Sequence, residues 1–191
     1  SIVLLVSCFL GFLLWQRNLL NKNTLFRVGF WFGYQVYTTR LGFYIHQRLL
    51  KQDRIAHSQR LIRKINDEIT IVAVPMLSDN YGYIIVDTQR SEAVLVDGCD
   101  ANAMLTVLDS LNIKVVKGIL TTHYHWDHAG GNSTLLDSLT QNGRLPNIPI
   151  YGSKHESSSS LVKISHKLDD KETFEVGNLI FKSLYTPGHT K

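Results

Sequence analysis

Two cysteines in 191 residues, Cys8 and Cys99, leave no disulfide framework to staple this chain. Thiolates are also missing from its one dense cluster of metal-ligating side chains, which excludes a closed structural zinc site of the cysteine type. Acidic residues are scarce at the N-terminal end. The first 70 residues hold ten Lys/Arg against three Asp/Glu, and the remaining 121 hold ten against thirteen, so the basic character behind the net charge of +4 belongs to the N-terminal part alone. No nucleic-acid-binding motif accompanies that basic segment, and its charge therefore points to an anionic membrane surface, with no nucleic acid as partner. Apolar length is limited as well. Ile2–Trp15 is uncharged, but as a helix its fourteen residues reach about 21 Å, short of a hydrocarbon core of about 30 Å.

Trp15 followed by Arg17 and Lys22 nonetheless resembles the interfacial end of a span. We expect residues 1–22 to form a hydrophobic membrane segment, with the downstream domain on the cytoplasmic or mitochondrial-matrix side. A signal peptide would need a small-residue cleavage site that is not evident, and a buried core helix is the remaining alternative. Residues 23–66 read as an aromatic and basic juxtamembrane region. Phe30, Tyr34, Tyr37, Leu41 and Tyr44 recur at helical spacing, which suits a helix at a membrane interface or one packed on the next domain. Polar Gln47–Lys64 predicts a linker. The chain begins at Ser1 and stops at Lys191, and we expect it to be the N-terminal part of a longer protein.

From about Asp67 the pattern changes. Ile69–Val74, Tyr83–Val86 and Ala93–Val96 read as strands, the first two joined through the turn formers of Leu77–Gly82. Ala101, Met104, Leu105, Leu108 and Leu111 mark a core-facing helix, and apolar, β-branched Val115–Leu120 a buried strand. A helix from about Gly131 to Leu139, a short strand at Ile148–Tyr151 and a hairpin turned by Gly177-Asn178 follow. Strand and helix in alternation argue an α/β layer structure over residues 67–191. His46, His57, His155 and His166 lack ligand spacing and read as solvated.

Thr121–Asn132 carries the chemistry. Its order His-x-His-x-Asp-His puts His123, His125, Asp127 and His128 within six residues, at the end of the Val115 strand. Imidazole and carboxylate donors suit Zn, Fe or Mn. Residues two apart on an extended segment point the same way, so His123 and His125 can grip one ion, while the turn into a helix re-aims Asp127 and His128 toward a second. His189, in Thr186-Pro187-Gly188-His189-Thr190, also follows a strand, and it gains weight because the first ion still wants a third ligand.

These residues resemble the metallo-β-lactamase superfamily, and with Leu77-Ser78-Asp79-Asn80-Tyr81 and Thr186–Thr190 they resemble its glyoxalase II (hydroxyacylglutathione hydrolase) group. The resemblance implies an αββα sandwich, incomplete here. It makes His123, His125 and His189 ligands of one metal and Asp127 and His128 ligands of another, with two divalent ions, most commonly zinc. Asp127 would also aim the hydroxide that attacks a glutathione thioester. Asp97, where the family often has Asp-Pro and this chain has Asp97-Gly98-Cys99, is expected behind the ligands. Five of seven expected ligands are present, so the 191 residues alone are expected to bind metal weakly and turn over little. A mononuclear iron persulfide dioxygenase and a membrane-tethered interaction protein with a slow hydrolase domain are the rival expectations.

Overall fold

Alternation of side chains along β2 (Ile69–Met76) sets the plan of the sheet, since Val72, Val74 and Met76 are buried while Ile71 and Ala73 point to the opposite face. The computed structural model describes residues 58–77, 79–113, 115–141, 147–155 and 163–190, together with 27–29, 31, 33, 36 and 41. The chain divides into two units, Ser1–Ile45 and His46–Lys191. In the first, the described residues are helical. The expected membrane segment Ile2–Trp15 lies outside the described residues, as do Phe30, Tyr34, Tyr37 and Tyr44 of the expected interfacial helix; among the described residues, no helix is long and apolar enough to cross a membrane.

The second unit is an α/β structure built on a seven-stranded mixed sheet. Its order is β1 (Leu61–Lys64), β2, β3 (Asn80–Asp87), β4 (Glu92–Val96), β5 (Val115–Leu120), β6 (Ile150–Ser153) and β7 (His166–Leu168). Pairing is antiparallel from β1 to β4 and parallel from β4 to β7. One expectation needs correcting here. Lys64 and the three residues before it, placed in a linker, form edge strand β1, because the register Leu61↔Ala73 to Lys64↔Thr70 satisfies their backbone while all four side chains stay exposed. His166, expected at the surface, is exposed on edge strand β7.

Helices cover one face. Asp100 caps α1 (Ala101–Ser110) by accepting from Asn102 N and Ala103 N at 3.0 and 3.1 Å. α1 then buries Ala101, Met104 and Leu108 against β2, β3 and β4, while α3 (Asn132–Gln141) adds Leu135 and Leu139 to the same core. A two-stranded hairpin, β8 (Thr173–Val176) and β9 (Leu179–Lys182), lies over the other face beside β5. The fit is close, since a Cβ on Gly118 would sit 2.7 Å from Val176 Cγ1. Of the expected sandwich, the described residues thus form one helix-covered sheet and a hairpin of a second layer.

Parallel β4 and β5 end on the same rim, the edge where α/β sheets usually bind ligands. Asp97 follows β4 there, Thr121–His125 follow β5, and β9 leads into the segment that ends at Thr190.

Candidate metal centre

Three features hold the turn after β5. Thr121 N donates to Tyr151 O at 2.9 Å, and Asn132 Nδ2 donates to Thr121 Oγ1 at 2.9 Å, so the strand end is tied both to β6 and to the start of α3. His125 keeps an extended backbone at the N-cap of α2 (Trp126–Ala129), and its carbonyl accepts from His128 N and Ala129 N. Trp126, wholly buried, pins α2 beneath the site. Gly131 permits this packing: a Cβ there would lie 2.0 Å from Gly98 O and 2.7 Å from Cys99 O, both of them backbone atoms that cannot swing away.

The turn directs its imidazoles inward. One ligating atom from each of His123, His125 and His189 lies within 4.8 Å of the others. His125 Nδ1 is 3.0 Å from His189 Nε2, and the His123 ring centroid is 4.8 Å from that of His125 and 5.0 Å from that of His189. Asp127 and His128 stand beside this group. His128 Nε2 is 3.7 Å from Asp127 Oδ2, and the His123 and His128 ring centroids are 4.1 Å apart.

Asp97 organises the set from behind. Its left-handed backbone (φ 49°) turns the carboxylate back toward the rim, a conformation Asp tolerates. Asp97 Oδ1 accepts from Thr122 N at 2.8 Å, while Oδ2 accepts from Thr122 Oγ1 at 2.7 Å and from His128 Nδ1 at 3.0 Å. That last contact leaves His128 Nε2 as its outward nitrogen, the carboxylate–histidine pairing that orients metal ligands. Thr122 Oγ1 is also 3.0 Å from His123 Nδ1.

Electrostatics separate the two histidines. Burial, together with the neighbouring His128 and His125, pushes His123 down to about 4, so its imidazole is neutral at pH 7. Burial also pulls His128 down, but the hydrogen bond and charge of Asp97 outweigh it, and its pKa is raised. Burial first, then the nearby carboxylates, pushes the Cys99 thiol up to about 12, which leaves it inert under the site.

The residues fit a divalent cation. His123 Nε2 is buried without a hydrogen-bond partner, a costly state that an ion among three imidazoles would relieve. A model of the metallo-beta-lactamase superfamily matches residues 79–191. The chain belongs to that superfamily. It is 35% identical over 127 residues to the probable hydroxyacylglutathione hydrolase of Schizosaccharomyces pombe, covering 63% of this chain and 45% of that protein. It is 34% identical over 113 residues to the hydroxyacylglutathione hydrolase of Dictyostelium discoideum, covering 59% and 38%. These relatives fit the glyoxalase II group, and the chain spans less than half of their length. Among solved structures, its fold is similar to that of the BLEG-1 B3 metallo-beta-lactamase, with a TM-score of 0.50, 23% identity and 63% of each chain covered.

Superfamily membership implies divalent-metal binding, typically zinc, and the structure brings together His123, His125 and His189, with Asp127 and His128 adjoining. Asn80 was legible only as a turn former. Its Nδ2 reaches from the start of β3 to Asp127 O at 2.5 Å and lies 3.5 Å from Asp127 Oδ2, tying the helix of the motif to a strand 47 residues away in sequence. Its place in the Leu77–Tyr81 resemblance was the available signal.

Proposed function

We propose that this chain carries the metal-binding part of a glyoxalase II-type hydrolase that cleaves a glutathione thioester such as S-lactoylglutathione. The observation behind the reading is the convergence of three histidines around the unpartnered His123 Nε2, with Asp127 and His128 alongside. His123, His125 and His189 would hold one ion, and Asp127 and His128 a second, most simply zinc. Divalent ions bound there supply Lewis acidity and a nucleophilic water at neutral pH.

The chain's own groups do the rest. Neutral His123 presents a lone pair without first losing a proton. Asp97 keeps the His128 ring in one orientation. Asp127, steadied by Asn80, offers a carboxylate oxygen to accept a hydrogen bond from the attacking water and so aim it.

The full-length protein should bind two divalent ions and hydrolyse S-lactoylglutathione, and Asp127→Ala should remove one ion and lower kcat by at least about 100-fold. Unchanged turnover in that variant would sink the assignment. One iron per chain without thioesterase activity would instead favour persulfide chemistry. We further propose that the N-terminal apolar and basic residues hold the protein on a membrane, on its cytoplasmic or matrix side. Recovery of the full-length protein in a salt-washed soluble fraction would refute that placement.

A further inference from the structure

His189 is the one member of the three-histidine group that does not come from the turn between β5 and α2. It is exposed, on residues 183–190, which form neither helix nor strand. The Gly188 N to Thr190 O bond is internal to that segment. Four residues upstream of His189, Tyr185 ties it to the body of the domain. Tyr185 N donates to Asp170 Oδ1 at 3.0 Å, and its ring stacks on that of His155, with centroids 4.4 Å apart and planes 30° apart. His155 Nε2 is 3.6 Å from Asp169 Oδ1, and the Asp169 carboxylate also pairs with Lys154. Lys154 N in turn bonds Leu168 O at 2.9 Å, so the stack stands on the β6–β7 edge.

We propose that His155 and Tyr185 are positioning residues whose ring stack holds His189 against His125 and so sets the cation affinity of the three-histidine site. The inference rests on the metal-site reading above. Without the anchor, His189 samples more positions, and the apparent affinity falls with the fraction that are competent. An exposed ring stack of this kind accounts for roughly a two- to tenfold effect.

The test is a Zn(II) titration of the full-length protein against a competing chelator, with amide hydrogen exchange at residues 185–189 in the metal-free state. His155→Ala and Tyr185→Ala should each weaken one bound ion by roughly two- to tenfold and speed that exchange. His155→Phe and Tyr185→Phe keep a ring in the stack and should behave as the wild type. Alanine variants that bind as tightly as the wild type would overturn the positioning role and leave the metal site standing. Phenylalanine variants as weak as the alanine ones would overturn the stack. A wild-type protein that binds no divalent cation would overturn both readings.

Discussion

His125 is 5% exposed and is followed by wholly buried Trp126, whereas His189, whose Nε2 is 3.0 Å from His125 Nδ1, stands exposed on a segment with neither helix nor strand. The β5–α2 arm of the site is fixed from several sides, by Asp97, Asn80, Asn132 and the close approach of Gly131 to the Gly98–Cys99 backbone. The arm carrying His189 meets the domain through surface contacts, among them Tyr185 N on Asp170 Oδ1 and the Tyr185 ring on His155. In the first arm the proposed ligands are pre-set by the same packing that stabilises the fold, so a change there is expected to cost stability and metal affinity together. In the second arm the two are separable.

The largest effect expected from this contrast is that of Gly131→Ala. Its Cβ would meet backbone oxygen at 2.0 Å, so α3 or the Gly98–Cys99 turn must move, at a cost of at least about 3 kcal/mol. Urea unfolding or soluble yield reports it, and a variant as stable as the wild type would show that the arm is less rigid than argued. Trp126→Ala comes next, at about 3–5 kcal/mol for deleting a wholly buried indole beneath the ligands. It should lower metal affinity together with stability, whereas a change in the exposed arm should lower affinity with little loss of stability.

A smaller effect is a pH optimum in the metal-free protein. The folded-state pKa of His123, depressed to about 4, makes a contribution that is present above the unfolded value near 6.5 and is lost as pH falls toward about 4. His128 has the opposite sign: its folded-state pKa is raised, so its contribution is full below about 6.5 and is lost as pH rises through the folded value. These two groups together place maximum stability near pH 6.5. Asp97→Asn should remove the alkaline limb and leave the acid limb, as thermal unfolding in a chelator would record; an unchanged alkaline limb would show that Asp97 does not govern His128.

The same contrast explains what could be read from residues alone. Most of β2 to β5 and α1 was legible, the strands as short apolar, β-branched runs such as Ile69–Val74 and Val115–Leu120 and the helix from the spacing of Met104 and Leu108, although Met76 and Asn80–Gly82, read outside the strands, belong to β2 and β3. β1 and β7 were not, because edge strands are held by backbone pairing, and the side chains of Leu61–Lys64 and His166–Lys167 carry no burial rhythm. His123, His125, Asp127 and His128 were conspicuous as four donors within six residues. His189, distant in sequence, drew its weight from that cluster, whose first ion still wants a third ligand. Asn80 to Asp127 and His155 to Tyr185 join residues far apart in sequence through a polar or ring contact, which leaves no local pattern to read.

The smallest stability effect is expected at His189 itself. Its side chain is exposed, and it adds no apolar burial to the core, so His189→Ala should shift unfolding of the metal-free protein by no more than about 0.5 kcal/mol. His125→Ala, at a buried position with its backbone capping α2, should cost about 1–3 kcal/mol under the same conditions. Zinc changes the comparison. Because a cation that binds only the folded state stabilises it more the more tightly it binds, both variants should lose most of the zinc-dependent rise in melting temperature expected of the wild type. One ligand would then be silent without metal and the other costly in either state. Equal losses from the two variants in chelator would mean that the segment carrying His189 is as integral to the fold as the turn after β5.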